Sequence, residues 1–119
     1  MLEKAVEIVA EIGYFSLPIE TMDGGWRRLV VAARKGSQGQ LTGHSFWVCE
    51  IVGVDEWIVG TWGGNFYHAS NFASFSRFVT DLFSIESDQI LTSLPSRIVD
   101  EFAFTEISIS RLNELVRTK

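Results

Sequence analysis

The side chains with the most chemistry to offer are His44, His68 and Cys49, the only two histidines and the only cysteine. A cysteine becomes a nucleophile when a base or positive charge lowers its pKa. Cys49, however, lies between Val48 and Glu50 in a strand-like run. It shares its face with Trp47 and Ile51, which points the thiol into a core, as free cysteines usually are. His44 and Cys49 are five positions apart and His68 is distant. That spacing matches no structural zinc site, and there is no H-x-x-x-H pair and no D-x-D-x-D-G calcium loop. We therefore expect no metal and no cofactor.

Other catalytic patterns fare no better. The adjacent acids Asp55-Glu56 and Asp100-Glu101 point in different directions on a strand or helix, so adjacency does not make a dyad. The run Gly60-Thr61-Trp62-Gly63-Gly64 has no lysine after its glycines and no helix start behind it, so it is neither a P-loop nor a dinucleotide fingerprint. No G-x-S-x-G elbow occurs. No catalytic residue is assigned.

The elements that position these residues follow from periodicity. Leu2, Ala5, Val6, Val9 and Ile12 share one helical face, which predicts a helix over 2–13 with Gly13 as its stop. Residues 14–23 read as a connection carrying Pro18, followed by the turn Asp23-Gly24-Gly25. Strands are predicted at 26–34, 45–52, 57–62 and 65–69, with residues 36–43 as a long loop and 53–56 as a tight turn. Gly63-Gly64 reads as a two-residue hairpin tip. Trp62 then opposes Asn65, and Tyr67 covers the bare backbone of Gly60. Ser70 or Asn71 caps a second helix, whose broad apolar face is Phe72, Phe75, Phe78, Val79, Leu82 and Phe83. Residues 88–94 can form a helical turn, and Pro95 suits the first position of a helix over 95–102. Residues 107–116 read as a last helix, with an edge strand over 103–109 as the alternative. Short links between strands imply antiparallel pairing. The expected fold is α+β: an N-terminal helix, an antiparallel meander of three to four strands, then C-terminal helices packed on the sheet.

The aromatics are the most distinctive feature. Trp26, Trp47, Trp57 and Trp62 all fall in the strand block with Phe46, Phe66 and Tyr67. One sheet face must take the phenylalanine-rich helix. The other either exposes tryptophan as a binding surface or is covered by helices 2–13 and 107–116. Both readings stand at this stage.

Bulk properties narrow the class. The chain has 119 residues, fits one domain over 1–119, and carries a net charge of −5. Its first 60 residues hold eight acids and five bases, the rest seven and five. The acidity is spread evenly and no basic face emerges, which argues against nucleic-acid binding. No apolar run reaches the length of a membrane span, and the start Met1-Leu2-Glu3-Lys4 lacks the pattern of a signal peptide. A lone cysteine forms no intrachain disulfide. Together these features favour a soluble, cytoplasmic protein with no membrane partner.

The strand Trp57-Ile58-Val59-Gly60-Thr61-Trp62 and the passage Tyr67-His68-Ala69-Ser70-Asn71-Phe72 into a phenylalanine-bearing helix resemble the late part of small acidic bacterial toxin-immunity proteins. The likeness covers about residues 56–83 and lies in kind of domain more than in motif. It implies inhibition of a cognate toxin, a basic one given the acidity of this chain, since opposite fields steer encounter. Exposed acids and aromatics near loop tips are the candidate contacts: Asp23, Asp55, Glu56, Trp62 and Asn65. The leading expectation is a non-catalytic protein-binding domain with salt-sensitive association. The first alternative is a small-molecule binder or enzyme with a pocket lined by Trp57, Trp62, Tyr67 and His68 between sheet and helix. The second is a structural homodimer through the uncovered sheet face or an edge strand.

Overall fold

The computed structural model describes residues 1–22, 25–33, 45–51, 56–85 and 92–117. The elements run α1 (Leu2–Ile12), β1 (Tyr14–Ser16), β2 (Glu20–Thr21), β3 (Trp26–Ala33), β4 (Phe46–Ile51), β5 (Trp57–Gly60), β6 (Phe66–Ala69), a 3-10 turn (Phe72–Ser74), α2 (Phe75–Phe83), α3 (Ser96–Glu101), β7 (Thr105–Ile107) and α4 (Ile109–Arg117). The fold is α+β. Its antiparallel sheet has the order β1-β3-β4-β5-β6-β7, with β2 also on β3.

The predicted meander is the centre of this sheet, as β3 to β6. Three further short strands extend it, so the expected three or four strands become seven. Residues 14–23 are thus more than a connection. Tyr14–Ser16 pairs with Val31–Ala33, and Glu20 and Thr21 pair with Arg28 and Arg27. Strands of three and two residues are too short to show alternation. The eight-residue β3 supplies the template that holds them, and Pro18, with no N–H to give, sits between the two paired stretches.

Strand alternation sorts the side chains onto two faces. The first carries Leu29, Val31, Phe46, Val48, Trp57, Val59, Tyr67 and Ala69, all buried against Leu2, Ala5 and Val9 of α1, Phe75, Phe78, Val79 and Leu82 of α2, and Ile98 of α3. Trp57 is its hub, with ring centroids of Phe75, Phe104 and Phe78 at 5.2, 5.4 and 5.6 Å. Gly13 ends α1 in the left-handed region at φ 118° and returns its N–H to the Val9 carbonyl, as a Cβ-free residue can. Asn71 opens the 3-10 turn, its side-chain oxygen accepting from the Ala73 N–H at 3.1 Å. Pro95 lies one position outside α3, where its carbonyl accepts from Ile98 and Val99.

The second face carries Trp26, Arg28, Val30, Ala32, Trp47, Cys49, Ile58, Gly60, Phe66, His68 and Ile107, as the registers dictate. Of the two helices expected to cover it, α1 packs on the first face with α2 instead. Only α4 reaches the second, where Leu112 closes over Cys49 and Ile58, ringed by Trp26, Phe66, Ile107 and Leu115. A nine-residue helix is about 13 Å long. Six strands abreast span about 24 Å, so among the described residues one such helix covers only part of the face.

The β5–β6 hairpin departs from the expected register. Gly60 pairs with Phe66 and Val59 with Tyr67, and the Thr61 N–H donates to the Asn65 carbonyl at 3.0 Å. The loop is therefore three residues, Trp62 to Gly64, closed by the Gly64 N–H on the Thr61 carbonyl at 3.0 Å. Only Gly64 takes a positive φ, 82°. Both favoured two-residue turns, I′ and II′, need positive φ at the first centre, which Gly63 does not have, whereas a turn ending in one left-handed glycine needs a third residue.

Candidate functional site

The thiol–imidazole reading does not assemble. Cys49 is fully buried, and burial pushes its thiol up to about 12, against a smaller downward pull from Arg28. In the register, Ile58 stands between Cys49 and His68, two strand spacings or about 10 Å across. The His68 Nε2 instead meets Glu56 Oε2 at 2.8 Å. His44 lies outside the described residues. Among the described residues no group of three or more His, Cys, Asp or Glu side chains is placed to hold a metal ion.

The four residues expected to line one pocket are divided between the faces. Trp57 and Tyr67 are buried on the first face. His68 is half-buried on the second, and Trp62 stands on the turn at that side. A cleft of about 410 Å³ does open between β6, β7 and α3, lined by Asn65, Tyr67, Leu94, Asp100 and Glu106 among others. Of the expected four, only Tyr67 reaches it, and its hydroxyl accepts the Leu94 N–H at 3.3 Å.

Of the expected contact residues, Asp23 and Asp55 lie outside the described residues. Glu56 is bound to His68 as above. Asn65 serves the fold: its Nδ2 donates to the Thr92 carbonyl at 3.0 Å. That same oxygen also accepts from Thr61 Oγ1 at 2.6 Å and from the Gly63 N–H at 3.1 Å. Three donors on one carbonyl fasten the hairpin tip to the segment before α3. Gly63 must be glycine for this approach, because a Cβ there would collide with the Thr92 oxygen. Trp62 remains, 49% exposed on that fastened tip.

Trp62 does not stand alone. Its ring lies 5.0 Å from that of Trp47, and the Trp47 indole rests on Gly60, where a Cβ would overlap the ring. Trp47, not Tyr67, covers that bare backbone. The Arg28 guanidinium sits 5.1 Å from the Trp47 ring and donates to Glu20 at 2.9 Å. Across the sheet, Val30 is paired with Trp47, and the Leu17 N–H donates to the Val30 carbonyl at 3.0 Å. Leu17 is 52% exposed. Among the described residues, the part of the second face beyond α4 is therefore an apolar band of Leu17, Val30, Trp47 and Trp62, with Ala32 one level further along β3.

Leu17, Val30 and Arg28 were not among the expected contacts. The signal for Leu17 was faint: Phe15 and Leu17 alternate around Ser16, too briefly to mark a strand. A second ionic centre ties α1 to the sheet. Glu50, 8% exposed, accepts from Arg27 Nε at 2.9 Å and meets the Met1 amine at 3.1 Å. Arg27 also grips Glu3 through two bonds of 2.8 and 3.0 Å, which lowers the Glu3 carboxyl to about 2. Every charge in that centre has a partner, so its role is structural.

Comparison with family models, curated proteins and solved structures finds no match to this chain. The geometry alone carries the functional reading.

Proposed function

We propose that this chain is a non-catalytic protein-binding domain and that it docks through the open half of its sheet. One observation carries the reading. The three large apolar side chains that stay exposed among the described residues are Leu17, Trp62 and Ile109. Leu17 and Trp62 bound the uncovered band, and Ile109 opens the helix beside it. Contiguous exposed apolar surface marks interaction sites, and tryptophan is a leading hot-spot residue. Trp62 is also held on a turn fastened by three hydrogen bonds, so binding costs little ordering entropy there. The fully buried thiol of Cys49 supports the absence of a cysteine nucleophile.

The finer reading is an immunity protein that inhibits a basic toxin in the cytoplasm. It is supported by the net charge of −5, which speeds encounter with a cationic partner, and by the single shielded thiol, which suits a reducing compartment. The test is site-specific crosslinking in cells that naturally make the protein. A benzophenone side chain in place of Trp62 should capture one protein partner. The same group in place of exposed Ser76 on α2 should not. Equal capture from both positions, or none from position 62, refutes docking at this face.

A further inference from the structure

The cleft between β6, β7 and α3 is distinguished by its charge. Every residue lining it is described, and none is basic. Two of them, Asp100 and Glu106, are acidic, and neither carboxylate has an ion pair or a hydrogen bond among the described residues. We propose that this cleft binds a small organic cation, an ammonium group with a hydroxyl or ether oxygen beside it, as in an amino alcohol or an amino sugar. None of the lining residues belongs to the apolar band, so the proposal is independent of the docking reading.

The chain builds the cleft from both sides. In the β6–β7 register Glu106 is directly opposite Tyr67. The two side chains therefore leave the sheet on one face, with Cβ atoms about 5 Å apart. Ser96, Val99 and Asp100 stand at i, i+3 and i+4 of α3, so they share the helix face that lines the cleft. Between Asp100 and Glu106 the chain turns at Ala103. Its φ of 53° makes it the one non-glycine residue in the left-handed region among those described, and its N–H donates to the Asp100 carbonyl at 3.3 Å. A left-handed alanine is strained, and the strain is spent on returning β7 beside α3, which sets both carboxylates on one cleft.

A second observation does not depend on the acids. Tyr67 is 3% exposed and lines the cleft. Its hydroxyl accepts the Leu94 N–H at 3.3 Å, but its own proton reaches no acceptor among the described residues. Burial raises the Tyr67 pKa, the Leu94 bond lowers it, and the negative charge of Glu106 raises it again. The hydroxyl therefore keeps its proton and stands as a donor without an acceptor. Two carboxylates call for N–H donors and positive charge, and a phenol O–H calls for an oxygen. An ammonium beside a hydroxyl is the complement of that set. The volume of about 410 Å³ lies within the range of small-ligand sites, about 300–1,000 Å³. A metal ion fits less well. Among the described residues no group of three His, Cys, Asp or Glu side chains is placed to hold one, and calcium takes about 6–8 oxygen ligands.

The full chain is titrated under NMR with glucosamine, glucose and glucuronate, which share a ring and differ in charge, and with butylamine, an ammonium without an oxygen. Glucosamine should give saturable shifts centred on Tyr67, Leu94, Asp100 and Glu106. Glucuronate should give none, and glucose and butylamine should bind about fivefold more weakly or worse. Asp100→Asn and Glu106→Gln should each weaken glucosamine about three- to fivefold, the size of an exposed ion pair. Both carboxylates are exposed, so these variants should keep the parent's urea midpoint. Tyr67→Phe should weaken glucosamine about fivefold and leave butylamine unchanged, a selectivity that a merely structural role would not produce. No saturable shift with glucosamine or with ethanolamine overturns the proposal. So does glucuronate binding as tightly as glucosamine, or indifference to both carboxylate variants. Butylamine binding as tightly as glucosamine also overturns it, in favour of a bare ammonium, the form in which a lysine of a protein partner would arrive. Failure of the crosslink at position 62 leaves this site untouched, and failure here leaves the docking reading untouched.

Discussion

Replacing Gly63 with alanine should destabilise the protein more than replacing Gly64, although only Gly64 has a positive φ. The Cβ added at Gly63 would overlap the Thr92 carbonyl oxygen and lie 3.0 Å from the Thr92 carbonyl carbon and Cβ. That obstacle is backbone, so the hairpin tip must withdraw. Withdrawal stretches three hydrogen bonds at once, from Gly63 N–H, Thr61 Oγ1 and Asn65 Nδ2. Each contributes about 0.5–1.5 kcal/mol, and a buried hydroxyl left without a partner costs about 1–3 kcal/mol. Thr61 is 1% exposed, so its hydroxyl cannot turn to water. Partial loss of the three gives a destabilisation of about 2–4 kcal/mol. At Gly64 nothing lies within 4 Å of the new Cβ, and the cost is conformational alone, about 1–2 kcal/mol. Urea unfolding followed by tryptophan fluorescence reads both. With a slope of about 1–3 kcal/mol per molar, Gly63→Ala should lower the midpoint by about 1–3 M. A Gly63→Ala midpoint equal to the parent's, or above that of Gly64→Ala, refutes the account of the Thr92 clamp.

Other substitutions probe the rest of the molecule. Gly60→Ala puts a methyl inside the Trp47 indole. The ring must leave its contacts with Trp62 and Arg28, at a cost of about 2–3 kcal/mol and with a changed near-ultraviolet dichroism; an unchanged spectrum sinks that geometry. Cys49 should resist thiol reagents in the folded protein at pH 8, because burial raises it to about 12; labelling should track unfolding and quicken in Leu112→Ala, and rapid stoichiometric labelling of the native protein would contradict this. The Glu3 carboxyl is lowered from 4.5 to about 2, chiefly by its bonds to Arg27. A depressed folded-state pKa gives stability that is present above pH 4.5 and lost as pH falls toward 2. Urea midpoints across that window should therefore drop less steeply in Glu3→Gln, and identical slopes would remove Glu3 from the acid response.

Much of the fold was legible because its central elements are long enough to show a period or a sustained apolar run. Eleven residues of α1 and nine of α2 repeat a helical spacing, and the eight of β3 carry an unbroken apolar run, Leu29 to Ala33, long enough to mark a strand. Tyr14–Ser16 and Glu20–Thr21 do not, and they exist because β3 offers an unpaired edge rather than by their own preference. The hairpin register failed for a different reason. Two adjacent glycines look like two positive-φ positions, but Gly63 is there for the Thr92 oxygen, a partner 29 residues away in sequence. The candidate site was half legible. The sequence singled out the cluster of tryptophans in the strand block and named Trp62 as a contact, yet only the strand register and packing bring Trp47 and Trp62 together, and Leu17 enters the band through a pairing that leaves little trace in the sequence.

The pairing of Phe66 with Ile107 has a consequence for the order of assembly. The hairpins from β3 to β6 join neighbours in sequence, so they close cheaply and early. The last strand returns only after α2 and α3 have been laid down, and such distant contacts slow folding more than they weaken the product. Cys49 and Ile58 on the second face are covered by Leu112 of α4, which follows that last strand in the chain. The stretch from Thr105 to Arg117 thus seals part of the second face through contacts distant in sequence from the strands it covers.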